Sequence, residues 1–368
     1  MSSIEARLDR LRGRMLPRRH DARTIAALTA NPGCARRALM DAAGADKQQL
    51  AAHAGFAAPF GQSQFAITRG NAFEAQVKEN GAAQLLTLLR EVLGLDVTEA
   101  HYTDLNEVGG NQDSELRHVY ARQRLTAAAA GIGTMFDHPL LRLSVAGRYA
   151  YLEPDLIALR LRGTFHIVEI KSFAIVDGQA DPAKVAAAAV QSAVYVLALR
   201  DLLGSEEAVH HETILVCPKD FSNQPVAAKV DVRRQLSVLR RQLNRIARID
   251  ELLAQYSDEL TFDLDPDEDR RPRRSSADLA NAIRAVGASY TPECLSTCEL
   301  CYLCRDEAGG TSGALGKTVR ADLGGIEFSR QVLDLARGAA PSPEQEEVAV
   351  VLVQAARLRR EIMGEAGM

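Results

Sequence analysis

Two apolar, β-branched runs, LIALRL at residues 156–161 and TFHIVEIK at residues 164–171, meet across Arg162-Gly163. A link that short between strand-like runs points to an antiparallel hairpin. With a two-residue turn, Leu161 faces Thr164 and Asp155 faces Ile170. Side chains alternate along a strand, so Phe165, Ile167, Glu169 and Lys171 share one face, and His166, Val168 and Ile170 the other. The strand therefore reads as buried on both sides. Glu169 and Lys171 stand at the end of its apolar stripe, where charges are costly unless paired or bound to metal. Pro154 holds Glu153 extended just ahead of Asp155. Two carboxylates and a lysine converge at one end of the hairpin. Carboxylates suit Mg2+ or Mn2+, and a cross-strand salt bridge at the sheet rim is the plain alternative.

The rest of the chain reads as α/β. Residues 1–60 are Ala- and Arg-rich short helices broken at Pro17, Pro32 and Pro59. A helix over Gly70–Leu93 is predicted from Phe73, Val77, Leu85, Leu86, Leu89 and Val92, which recur at roughly helical spacing. Residues 95–105 and 115–125 read as strands. Asp181-Pro182 starts a helix, with Asp as N-cap and Pro in the first turn. HETILVC and PVAAKVDV read as strands, and Val232–Tyr256 as one long basic helix. Residues 263–276, acidic then basic with two prolines, read as a solvated linker or loop. Helices close the chain around the break at residues 340–343.

Six cysteines occur, and Cys294, Cys298, Cys301 and Cys304 fall within eleven residues. In a reducing compartment such a group is a metal site rather than a disulfide framework. Thiolates select zinc or iron–sulfur centres. Four-cysteine zinc sites usually draw on two well-separated pairs, unlike this run. Cys34 lies far upstream in Asn31-Pro-Gly-Cys34-Ala-Arg36-Arg37. Cys217 follows the strand TILV and reads as a small buried apolar residue.

Taken in order, these motifs resemble the PD-(D/E)xK nuclease superfamily. Glu-Pro-Asp155, a gap of thirteen residues, and Glu169-Ile170-Lys171 match its signature. Gln191-Ser-Ala-Val-Tyr195 resembles the QxxxY motif of its RecB-like branch, and Arg69-Gly-Asn-Ala-Phe73-Glu74 that branch's first helix. CRISPR-associated adaptation exonucleases and AddB-type nuclease domains also carry four cluster cysteines, one early and three late. The resemblance implies a restriction-endonuclease-like mixed sheet flanked by helices over residues 31–306. A basic segment (1–30) and a helical extension (307–368) lie outside it. It implies Glu74, Asp155, Glu169 and the Ile170 carbonyl as ligands to Mg2+ or Mn2+. It also implies Lys171 as a catalytic residue, with Gln191 and Tyr195 holding DNA and active-site residues. A [4Fe–4S] cluster on Cys34, Cys294, Cys298 and Cys304 would join the two ends of the domain. Cys301 is a competing ligand because this chain has four late cysteines, and zinc is the alternative metal.

The expected activity is hydrolysis of DNA, at single-stranded or frayed ends, in defence, recombination or repair. No ATPase motif is present: Gly310-Thr-Ser-Gly-Ala-Leu-Gly316-Lys317-Thr318 has five residues between its outer glycines instead of four, with no strand before it. A helicase or other motor would act in trans. The net charge of −4 excludes an argument for nucleic acid from bulk charge. Arg234, Arg241, Arg245 and Arg248 share a helical face that could follow a phosphate backbone, or could simply be solvated. Tryptophan is absent, which gives little support to a base-stacking platform. His210-His211 reads as structural, since neighbours on a strand face opposite ways. No apolar run reads as membrane-spanning and no signal-peptide core is seen, so a cytoplasmic protein is expected. The competing function is a nucleic-acid-binding accessory subunit with a structural metal cluster.

Overall fold

The hairpin lies at the centre of a mixed sheet. The computed structural model describes residues 3–28, 31–58, 64–94, 100–105, 113–128, 133–145, 148–153, 156–161, 163–220, 222–246, 248–269 and 271–364. Its strands are β1 (Ala100–Asp104), β2 (Gly133–Asp137), β3 (Leu141–Val145), β4 (Arg148–Leu152), β5 (Leu156–Leu161), β6 (Thr164–Ile170), β7 (Glu212–Pro218) and β8 (Pro225–Asp231). Among the described residues the main sheet runs β1-β2-β5-β6-β7-β8, and β3 and β4 pair separately. β1–β2 and β6–β7 are parallel, while the other neighbours in the main sheet are antiparallel. The hairpin register places Leu161 opposite Thr164 and Leu156 opposite Glu169, with Gly163 at φ +86° in the turn.

The helices are α1 (Ser3–Arg12), α2 (Ala22–Ala27), α3 (Ala35–Ala43), α4 (Lys47–His53), α5 (Gln64–Leu93), α6 (Ser114–Ala127), α7 (Pro182–Leu203), α8 (Arg233–Ile246), α9 (Ile249–Leu253), α10 (Ser276–Arg284), α11 (Cys294–Thr297), α12 (Cys301–Glu307), α13 (Lys317–Asp322), α14 (Ser329–Ala336) and α15 (Glu346–Ile362). Parallel pairing requires a crossover, and α6 and α7 lie in the two crossovers. The 115–125 segment is thus helical, not a strand. Its buried residues His118, Ala121 and Leu125 recur at steps of three and four, a helical spacing. The region read as one helix over 232–256 divides into α8 and α9. α5 begins earlier than read and carries a non-helical break from Glu79 to Ala82.

Asp181 caps α7 as expected, accepting from the Ala183 and Lys184 amides. α7 is long and apolar enough to cross a membrane by length and composition alone, which the sequence reading did not register. Its apolar character follows from burial: it packs against β3, β6 and β7 and against α2 and α8.

Two main cores result. One surrounds the sheet. The other joins Leu8, Leu39 and Leu50 from the N-terminal helices to Leu279, Ile283 and Leu303 near the late cysteines. Of the segment read as a linker, residues 263–269 and 271–275 are irregular but anchored: Phe262, just before them, donates its amide to Leu11, and Leu264 is buried. Arg274 donates to the carbonyls of Thr261 and Asp263.

Candidate active site

β6 carries Glu169 into the interior, 1% exposed, between Leu156 of β5 and Leu215 of β7. Its carboxylate forms an ion pair with Lys171, two residues on along the same face. Such a pair replaces the lost hydration of Glu169, and removing the half-buried Lys171 would strand a buried carboxylate. Cys217 lies in the field of both. Burial pushes its thiol up to about 12, with Lys171 opposing and Glu169 reinforcing that shift. Its burial agrees with the small-apolar reading. Asp155 and Pro154 lie outside the described residues; Leu156, the residue after Asp155, pairs with Glu169 in the expected register. The N-terminal part of α5 passes the same strand end, since a Cβ built on Gly70 would lie 3.8 Å from Ser172 Oγ.

Glu74, one turn further along α5, belongs to a second polar group. Lys78 pairs with Glu74 and, at 2.6 Å, with Asp137 at the end of β2. Tyr102 of β1 donates its hydroxyl to Asp137, and the His138 amide does so at 3.0 Å. His138 Nδ1 lies 3.2 Å from Asp137 and 3.7 Å from Asp104, while Nε2 lies 3.6 Å from Glu74. Burial opposes ionisation of Asp137, but hydrogen bonding with His138 and the charge and hydrogen bond of Lys78 outweigh it and hold the carboxyl at about 2. The hydrogen bond to Asp137 raises the His138 pKa against burial. Ligand atoms of Asp104, Asp137 and His138 lie within 4.8 Å of one another, an arrangement able to bind a divalent metal.

The register relates the two groups. Asp104 pairs with Asp137, Asp137 with Ile157, and Ile157 with Val168. Paired residues share a face, so Asp137 falls on the Val168 face and Glu169 on the other. α5 meets the sheet on the first face through Lys78. α7 meets it on the second, where Ala188 packs with Leu215 and Cys217.

Sequence reasoning missed Asp104, Asp137 and His138. Adjacent strand residues point apart, which argues against Asp137-His138 as a pair. His138 lies just beyond the strand at φ +47°, and this turn of the backbone lets both side chains converge. On α7, Gln191 donates to the Tyr195 hydroxyl at 3.1 Å, and Tyr195 is buried. Arg234, Arg241, Arg245 and Arg248 are exposed, while Leu236, Leu239 and Ile246 turn inward. Arg245 donates to the Pro32 carbonyl, and Arg248 lies across the α8–α9 break, 3.8 Å from Glu251.

The five cysteines singled out for a cluster line one chamber together with Asn31, Arg37 and Ser289. Cys34 stands at the N-cap of α3, and the others lie on or between α11 and α12. Asn31 donates to Cys294 Sγ at 3.3 Å and Arg36 to Cys304 Sγ at 3.1 Å. Arg36 also binds Glu307 and the Val286 carbonyl. Arg37, Asp41, Lys47 and Glu299 form an ion-pair network beside Cys298. Burial pushes Cys298 up to about 12 and Cys304 up to about 11, while Arg37 and Lys47 oppose the first shift and Arg36 the second.

No protein-family model matches the chain, and no curated protein matches it in sequence. Among solved structures it is similar to a "Putative exonuclease" from Eubacterium rectale, at 14% identity and a TM-score of 0.31, over 69% of this chain and 85% of that chain. A superposition that loose does not bear on the site.

Proposed function

We propose that the chain is a metal-dependent DNA nuclease of the restriction-endonuclease-like fold, acting at single-stranded or frayed ends. The observation that carries this reading is the buried Glu169–Lys171 ion pair, with Glu169 opposite the residue that follows Asp155. An apolar strand that retains two charges at its end suits a site where metal and phosphate complete the pairing. Asp155, Glu169 and the Ile170 carbonyl would hold Mg2+ or Mn2+, whereas Glu74, expected as a fourth ligand, stands with Asp104, Asp137 and His138 on the opposite face and belongs to a further donor set there. The metal would supply Lewis acidity toward water and phosphate. Lys171 orients the attacking water and offsets negative charge developing on the phosphate. Gln191 and Tyr195 position the strand, and Arg234, Arg241, Arg245 and Arg248 contact its phosphates. A motor protein in trans and a role in defence, recombination or repair complete the proposal.

The same reading puts an iron–sulfur cluster in the thiol chamber, with zinc as the alternative metal. Arg36, Arg37 and Lys47 suit the negative charge of a thiolate-bound cluster. Cys34, Cys294, Cys298 and Cys304 would hold it, with Cys301 competing.

The test is incubation of end-labelled single- and double-stranded DNA with the purified protein in Mg2+, Mn2+ or EDTA. Metal-dependent cleavage, abolished by Asp155→Ala and by Lys171→Ala, is the expected result. Cleavage that survives both substitutions would overturn the assignment.

A further inference from the structure

Arg37 carries a buried donor that the protein's own groups do not use. Its side chain is 4% exposed and lines the thiol chamber with Asn31 and the five cysteines. Nε donates to Asp41 at 3.2 Å. Nη1, on the opposite edge of the guanidinium, is buried and has no hydrogen-bond partner among the described residues. A buried N–H of a charged group is costly without an acceptor, so its retention points to an acceptor outside the chain.

The neighbouring donors indicate what that acceptor is. Arg36 Nη1 donates to Cys304 Sγ at 3.1 Å, and Asn31 Nδ2 to Cys294 Sγ at 3.3 Å. Both aim at sulfur. The charge of Arg37 acts on the Cys298 thiol, which also takes the Leu300 amide. The cations here are matched by carboxylates: Arg36 by Glu307, Arg37 by Asp41, and Lys47 by Asp41 and Glu299. What these residues offer a bound centre is therefore mainly directed N–H groups rather than net charge.

We propose that Arg37 Nη1 donates to a sulfur of the iron–sulfur cluster, on the Cys298 side of the chamber, and raises the reduction potential of that cluster. The proposal rests on reading the chamber as an iron–sulfur site. Reduction takes one electron from an added reductant, and the donors keep their protons. The extra charge spreads onto the sulfurs, so a donor aimed at sulfur favours the reduced form.

The test is a potentiometric titration with dithionite on the full chain purified without oxygen, followed by electron paramagnetic resonance and visible absorbance. Arg37→Met removes the donor and its charge. Arg37→Met combined with Asp41→Asn removes one charge of each sign, so local net charge matches the parent and Lys47 keeps Glu299 as partner. Both variants should retain iron. At a fixed potential their ratio of reduced to oxidised cluster should fall about tenfold, a midpoint lower by about 59 mV for a one-electron couple. Asp41→Asn alone keeps the donor and should not lower the midpoint. A double variant with the parent's midpoint would overturn the role of Arg37 and leave the cluster reading standing. A parent protein that carries zinc, or no iron, would overturn both.

Discussion

The guanidinium of Arg36, fully buried, hydrogen-bonds the sulfur of Cys304 at 3.1 Å across 268 positions of sequence. The same group binds the Val286 carbonyl and Glu307, so one side chain fastens α3 to three points near the late cysteines. Arg36→Ala leaves these partners unsatisfied and should destabilise the fold by about 3 kcal/mol. A urea titration should show a lower midpoint, and Arg36→Lys should recover only part of the loss because it lacks the planar fork.

The chamber thiols should be hard to ionise without metal, because burial raises Cys298 to about 12 and Cys304 to about 11. In metal-free folded protein, alkylation at pH 8 should be much slower at these two cysteines than in urea-denatured chains, as read by mass spectrometry. If a cluster is present in the protein as purified, iron and absorbance near 400 nm should accompany it. Serine at Cys34, Cys294, Cys298 or Cys304 should remove both signals, while Cys301→Ser should retain them.

Glu169 and Lys171 separate stability from chemistry. Lys171→Met should cost about 3 kcal/mol by stranding a buried carboxylate. The double variant Glu169→Gln with Lys171→Met should regain most of that stability yet remain without nuclease activity. Denaturation midpoints and cleavage rates measured on the same preparations check both halves. A double variant that still cleaves DNA would remove this pair from the mechanism.

Lys78 neutralises Glu74 and Asp137. Lys78→Met should therefore destabilise the protein in EDTA by about 2 kcal/mol, through repulsion among the remaining carboxylates. Millimolar Mn2+ should restore the thermal midpoint more strongly in this variant than in the parent. Asp137→Asn introduced into Lys78→Met should abolish the metal response.

His166 predicts a pH dependence. Burial lowers its pKa from 6.5 to about 4, with neighbouring His210 and Lys229 acting in the same direction and Glu212 opposing. Between these values the unfolded chain binds more protons than the folded one, so folding stability rises with pH. The loss on acidification through this window is up to about 3 kcal/mol. His166→Phe keeps the ring beside His210 and should flatten the stability profile from pH 6.5 to 4, as followed by chemical denaturation.

The hairpin was legible because one short turn fixes its register, and Gly163 supplies the backbone freedom it needs. The Asp181 cap and the inward face of α5 were legible for similarly local reasons. α6 was not: Val119, Tyr120 and Leu125 suggest a strand unless the burial of His118, Ala121 and Leu125 is known. The Asp104–Asp137–His138 group was hidden because β1 and β2 meet only through long-range pairing and His138 turns out of the strand. The division between α8 and α9 has no proline or glycine to announce it. For the cysteines, spacing picked out the late four, and it was the family resemblance that joined Cys34 to them, in the chamber where the fold places all five.

With the proposed cluster bound, that chamber would also decide how the chain bears load. Cys34 and Cys294 enclose the whole sheet between them along the sequence, and they line the same small space. Once coordinated to a common centre, they would close a loop of about 260 residues and remove much of the freedom that unfolding would otherwise release. Tension applied outside this loop would then be transmitted through metal–sulfur bonds while the sheet inside stayed slack.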